Sequence, residues 1–223
     1  MLENLREELR LAALGMMEAG LVVGSDGNVS VRDPETGYVA ITPSGMAYDV
    51  ITKDDVVIVD VDQKVIWGER KPSWETPMHT YIHKYRKDVF AVMHTHSHYA
   101  SMFAIANRDL PPATMNLAAQ FGGVVRCAPY VRTGSEDMGP INLEYLGEKG
   151  RGILLGNHGA LLIGSTLKKV LTLAKALEEG AKQVYAAAML ADPVPLPQEE
   201  IQWLFDLVSS FEAEAEEKEA KVG

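Results

Sequence analysis

The chain has 223 residues, six histidines, one cysteine and a formal charge of −10. Its 47% apolar and 23% charged content excludes a disordered or fibrous chain. The acidic balance argues against a general nucleic-acid binder, which needs a cationic surface to neutralise phosphates.

The length suits one domain over residues 1–223, with a core large enough to need no disulfide staples. The lone Cys127 can form no internal disulfide, fits a reducing compartment and reads as a small apolar packing residue. The first segment, MLENLREELRLAALGMMEAG, repeats Leu at helical spacing and carries charges through its first ten residues. It is therefore expected as an amphipathic helix and not as a signal peptide. No apolar run reaches the roughly 20 residues that span a bilayer, so the chain is expected in the cytoplasm without a membrane partner.

GLVVGSDGNVSVRD and GYVAITPSG alternate apolar and polar residues between turn formers, and DVVIVDVDQKVIWG reads as two strands around the turn DVDQK. A helix is predicted from Thr76 to Tyr85, with Pro77 in its first turn and Met78, Ile82 and Tyr85 at helical spacing. VFAVMHTH is then predicted as a strand, SHYASMFAIA as a helix and VVRCAPYV as another strand. RGILLGNHGALLIG reads as strand, glycine turn and strand. A long helix follows from Thr166, with Val170, Leu173, Leu177, Ala181 and Val184 on its apolar face, and Pro193, Pro195 and Pro197 end it. A last helix starts near Gln198. From about residue 212 to 223 the chain is nearly all charge and Ala, and is expected as a fraying, solvated tail. Several neighbouring strands are joined by turns too short for a parallel crossover, so the fold is expected to be α/β or α+β with a largely antiparallel sheet.

His94 and His96 alternate at the end of a predicted strand, where alternate side chains share one face. Imidazole is a common zinc ligand, and a catalytic site usually has three protein ligands and an open position. His158, in a glycine-flanked turn between two apolar segments, is the best third ligand; unrelated surface and core histidines are the other reading. His79 and His83 share a helical face but lack the Glu of HExxH, and are assigned to packing or the surface. His98 falls where the strand has given way to a helix, so it is placed outside the set. Glu75, before a predicted helix, is either a residue that complements the helix dipole or, beside a metal, a ligand or proton shuttle. The turns GSDGNVS and TPSG could cradle a phosphate through backbone N–H groups and hydroxyls, or could be plain hairpin turns.

Taken together and in order, GNVSVR, ITPSG, KPSWE, HTHS and GNHG resemble the class II aldolase and adducin head domain superfamily. The likeness runs from the first helix to about Pro197, includes CAPY and DPVP, and is nearest to the L-fuculose-1-phosphate aldolase branch, with L-ribulose-5-phosphate 4-epimerases as relatives. The resemblance implies a three-layer α/β/α sandwich around a mainly antiparallel central sheet, and a homotetramer with sites at subunit interfaces. It implies Zn2+, with Mn2+, Co2+ or Fe2+ open in its place, held by His94, His96 and His158. It also implies Glu75 as the catalytic acid or base, and Asn28, Thr42, Gly45 and Ser73 as the phosphate pocket. Trp74 stands in that pocket where a second Ser is usual, and Asn116 and Phe211 stand where the aldolases carry Tyr at the aldehyde end. The implied reaction is cleavage of a ketose or deoxyketose 1-phosphate to dihydroxyacetone phosphate and an aldehyde, through an enediolate whose charge the metal stabilises. Epimerase, dehydratase or decarboxylase chemistry on the same metal site is the alternative, as is a non-catalytic adducin-head-like interaction domain. Glu75 weighs against the epimerase, whose matching motif carries Asp.

Overall fold

The computed structural model describes residues 1–220 and folds as an α/β protein in three layers. The central sheet has eight strands: β1 (Asn28–Arg32), β2 (Val39–Ile41), β3 (Val57–Val59), β4 (Val65–Trp67), β5 (Ala91–Thr95), β6 (Cys127–Ala128), β7 (Gly152–Leu155) and β8 (Gly159–Gly164). Their order is β4-β3-β2-β1-β5-β8-β7-β6. Every pairing is antiparallel except β6 with β7. The expected antiparallel character holds because short turns join β1 to β2, β3 to β4 and β7 to β8.

The described residues form seven helices, α1 (Glu3–Glu18), α2 (Thr76–Tyr85), α3 (His98–Ile105), α4 (Met115–Phe121), α5 (Met138–Leu146), α6 (Leu167–Ala188) and α7 (Gln198–Ala220), the last packed on α4. Alternation along the strands assigns the faces. Val29 and Val31 of β1 and Met93 of β5 enter the larger core with Leu9 and Met16 of α1, Ala104 of α3, and Leu173 and Leu177 of α6. On the opposite face Val92 of β5 and Leu161 of β8 pack against Met78 and Ile82 of α2 and Met138 of α5. Each fully buried aliphatic side chain contributes about 1.5–3 kcal/mol, so the two cores clamp the sheet from both sides.

The α1, α2, α3 and α6 predictions correspond to helices at those places. The strand expected from VVRCAPYV shrinks to Cys127–Ala128, because Pro129 has no N–H to extend the ladder. Cys127 is only partly buried there, against the larger core. The charged segment from residue 212 continues α7 as far as Ala220, while residues 221–223 lie outside the described residues. Glu, Ala and Lys are strong helix formers, and Glu212 reaches Lys169 and Arg151. Two helices, α4 and α5, lie between the predicted elements.

Two glycines bring neighbouring backbones against the end of β5. A Cβ on Gly159 would stand 2.2 Å from the Thr95 carbonyl oxygen, and one on Gly27 would stand 2.5 Å from that of His94. Gly27 also adopts φ +68°, a left-handed conformation that glycine takes without strain. Because the atom opposing residue 159 is backbone, Gly159→Ala is expected to destabilise the protein by about 1–3 kcal/mol in urea unfolding. Gly123→Ala, whose Cβ would meet nothing within 4 Å, should stay within about 0.5 kcal/mol of the parent.

Candidate metal centre

Three strand ends converge on the side of the sheet that carries α2. His94 pairs with Asn28 of β1 and with Leu161 of β8 in the strand register, and its ring is fully buried. Its Nδ1–H donates to the Ala160 carbonyl at 2.9 Å, which leaves Nε2 as the bare ligand atom. His96 is the first residue beyond β5, and its Nε2 lies 2.8 Å from that of His94. His158 arrives from the turn between β7 and β8. There Asn157 takes φ 56°, donates its N–H to the Ala104 carbonyl and accepts a bond from Asn107 at 3.2 Å. The ring centroids of the three histidines lie 4.6 to 5.0 Å apart, and one ligand atom from each falls within 4.8 Å of the others.

Burial pushes the His94 imidazole down to about 3, helped by the neighbouring His96. Burial, then His94, pushes His158 down to about 4 against the opposing pull of Glu75. Both rings are therefore neutral at ordinary pH, the form that binds metal. Glu75 precedes α2 but makes no capping bond to it; its side chain turns inward and is 4% exposed. Oε2 lies 3.2 Å from His94 Nε2, and Oε1 lies 3.6 Å from His158 Nε2. With the imidazoles neutral these contacts are not ion pairs. Oε2 accepts from Asn28 Nδ2 at 2.7 Å, whereas Oε1 is buried with no hydrogen-bond partner. Burying a carboxylate costs several kcal/mol unless it is compensated. Three imidazoles and a carboxylate with one unpaired oxygen fit a divalent cation.

Beside the cluster lies a cleft of about 300 Å3, lined by Asn28, Gly45, Ser73, Trp74, Glu75, His96 and His158. Ser25, Asp26, Ser44 and Thr133 also line it, and among the described residues no Lys or Arg does. Gly45 has φ +71°, which turns the TPSG loop toward the cleft. Ser73 Oγ accepts the Glu75 N–H at 3.2 Å, and Trp74 is 77% exposed at the rim. Thr42 is buried instead, its Oγ1 accepting the Val29 N–H at 3.2 Å, and Ser44 of the same loop lines the cleft. Asn116 on α4 and Phe211 on α7 are exposed, and neither lines the cleft.

His98 is the first residue of α3, exposed and outside the cluster. His79 and His83 are wholly buried, so the surface reading is corrected in favour of the interior. They lie over β1, where Ser30 Oγ contacts His79 Nδ1 at 2.7 Å and His83 Nε2 at 2.9 Å. The signal in the sequence was the pairing of two patterns: histidines four apart on a helix, and Asn28 and Ser30 two apart on a strand.

Residues 7–185 match the family described as Class II Aldolase and Adducin N-terminal domain. The chain is 37% identical over 212 residues to a 5-deoxy-D-ribulose 1-phosphate aldolase of Bacillus thuringiensis serovar kurstaki, covering 95% of this chain and 97% of the relative. It is 32% identical to a 5-methylthioribulose-1-phosphate/5-deoxyribulose-1-phosphate aldolase of Rhodospirillum rubrum, covering 93% and 92%. Among solved structures, an L-fuculose 1-phosphate aldolase superposes with a TM-score of 0.89 at 32% identity, covering 92% of this chain and 96% of that one.

The buried histidines carry a pH signature. Burial, chiefly, pushes His83 down to about 3 and holds His79 well below its ordinary value, whereas an unfolded chain protonates both near 6.5. The unfolded state thus binds more protons, and stability is lost as pH falls from about 6.5 toward 3, by about 1.4 kcal/mol per pH unit for each such histidine. Urea unfolding of chelator-treated protein between pH 7 and 5 should show this slope, to which His94 and His158 add in the same sense. His83→Gln should reduce it by about one proton's worth, and an unchanged slope would contradict a buried neutral His83.

Proposed function

The chain belongs to the class II aldolase and adducin N-terminal domain family, and from that premise we propose that it is a metal-dependent aldolase. Its substrate is 5-deoxyribulose 1-phosphate or a ketose 1-phosphate close to it, cleaved to dihydroxyacetone phosphate and an aldehyde. The observation that carries this reading is the cluster of His94, His96, His158 and Glu75 beside a hydroxyl-lined cleft. The names of the two relatives favour a deoxypentulose over the L-fuculose 1-phosphate of the structural neighbour.

In this reading His94, His96 and His158 hold the cation, with Zn2+ first and Mn2+, Co2+ or Fe2+ also suited to imidazole and carboxylate donors. When bound, the cation supplies Lewis-acid withdrawal of electron density from the substrate carbonyl, which lowers the cost of breaking the C3–C4 bond. Asn28, Gly45 and Ser73, with Ser44, orient the phosphate end through N–H groups and hydroxyls, and Thr42 supports the start of β1 beneath them. Cleavage removes the proton of the C4 hydroxyl, moves the C3–C4 electron pair onto the dihydroxyacetone phosphate fragment and returns a proton to C3. Glu75 carries that last proton, with Asn28 anchoring one oxygen and the other left free. Asn116 and Phe211, in place of Tyr, suit an aldehyde without hydroxyls, such as acetaldehyde. In the homotetramer that the family implies, the site lies between subunits, where the exposed Phe211 can meet the aldehyde end.

The test is a panel of 5-deoxyribulose 1-phosphate, L-fuculose 1-phosphate and L-ribulose 5-phosphate given to the zinc-loaded protein, with dihydroxyacetone phosphate as the readout. The expected result is release from 5-deoxyribulose 1-phosphate, and a loss of about 10²- to 10⁴-fold in kcat in Glu75→Gln with its metal retained. Epimerisation of L-ribulose 5-phosphate with no release from either 1-phosphate would overturn the aldolase reading.

Metal analysis of purified variants tests the ligand set. His94→Ala, His96→Ala and His158→Ala should each lose most bound zinc, because a site with three protein ligands tolerates the loss of one poorly. Full occupancy in His158→Ala would remove it from the set, and metal that depends on His79 and His83 would relocate the site.

A further inference from the structure

Five buried polar side chains run from α2 into the metal centre. His83 Nε2 lies 2.9 Å from Ser30 Oγ, and Ser30 Oγ lies 2.7 Å from His79 Nδ1. His79 Nε2 lies 2.5 Å from Asn28 Oδ1, and Asn28 Nδ2 lies 2.7 Å from Glu75 Oε2. His79, His83 and Ser30 are wholly shielded from solvent and do not line the cleft. Apolar residues at these positions would pack without the cost of desolvating polar groups, so packing alone does not account for them.

One premise gives every bond its direction. A carboxylate only accepts, so Asn28 turns its NH2 toward Glu75 and its carbonyl toward His79. That carbonyl requires a donor, so the single ring proton of neutral His79 sits on Nε2 and leaves Nδ1 bare. Ser30 has one O–H; it goes to His79 Nδ1, and the Ser30 oxygen then accepts from Nε2–H of His83. His83 Nδ1 is left a bare acceptor, and it makes no hydrogen bond. The Val89 carbonyl acts on the buried His83 as a backbone hydrogen-bond acceptor, which raises its basicity, but it already accepts from Arg32 Nη2 at 3.0 Å and makes no contact of hydrogen-bond geometry with His83 Nδ1. All donors therefore point the same way, toward Glu75.

We propose that His79 is a positioning residue for the reaction, its Nε2–H locking the Asn28 amide so that Nδ2–H holds Glu75 Oε2 while Oε1 stays free toward His158. Without that lock the amide can turn its carbonyl to the carboxylate, set two acceptors against each other and displace Glu75. The inference rests on the proton-transfer reading of Glu75.

The experiment compares His79→Asn, which can keep the Ser30 contact but falls short of Asn28, with His79→Gln, which restores a donor near Nε2. With 5-deoxyribulose 1-phosphate, His79→Asn should lose about tenfold or more in kcat, with KM, zinc content and thermal midpoint near those of the parent. His79→Gln should recover to within about threefold in the same terms. In a Glu75→Gln background, His79→Asn should have less than about a twofold further effect, because its role passes through Glu75. Equal losses in both backgrounds, or no advantage of Gln over Asn, would overturn the inference while leaving the role of Glu75 intact. Full turnover in Glu75→Gln would overturn both. Should His79→Asn fail to fold, a tenfold loss in folded, zinc-loaded His79→Gln would also overturn it. Long-range 15N NMR of the imidazoles in the parent protein provides a readout without turnover: Nε2–H at His79 is expected, and Nδ1–H there would overturn the proposal.

Discussion

The register of β5 between β1 and β8 is the constraint on which the rest of the structure depends. Side chains alternate along a strand, so a slip of one residue would carry His94 into the apolar core of Met93 and Leu162 and bring Met93 to the histidine cluster. The apolar set of β5, locked between two helical layers, therefore also secures the placement of His94. Gly27 and Gly159 complete the constraint by letting the neighbouring backbones close to within van der Waals limits at the strand's end.

A second consequence of that register is a polar seam inside an otherwise apolar layer. Asn28 and Ser30 share a face of β1, His94 follows on β5, and α2 lays His79 and His83 over them. Each of these groups would be expensive to bury alone, and each is compensated by the next. Burial keeps the imidazoles neutral, and neutrality is what allows one ring nitrogen to donate while the other accepts or ligates. The same low-dielectric setting thus serves stability and the centre's chemistry together.

Much of this was legible in the sequence, and the parts that were not have physical reasons. α2 could be bounded from Thr76 to Tyr85 because Pro77 and the apolar spacing agree, and HTH and GNHG mark three of the clustered histidines through strand alternation and turn chemistry. α5 was obscured by Gly139 and Pro140, which read as breakers yet sit in a first turn whose N–H groups lack intrahelical partners. The burial of His79 and His83 could not be read from α2 alone, since it depends on β1 lying beneath them, a long-range pairing. Thr42 and Ser44 illustrate a finer limit: TPSG names a turn, but which hydroxyl faces the cleft depends on where the loop docks against Lys71 and Ser73.

The cleft's lining has a further consequence for how ligands arrive. Among the described residues no Lys or Arg lines it, Asp26 does, and the chain carries a net −10. On the proposed function, a phosphate ester would meet no cationic side chain in the cleft's own lining, and its long-range attraction would come from the bound cation. On that reading the cleft's side chains would supply geometry and the cation beside them would supply the charge.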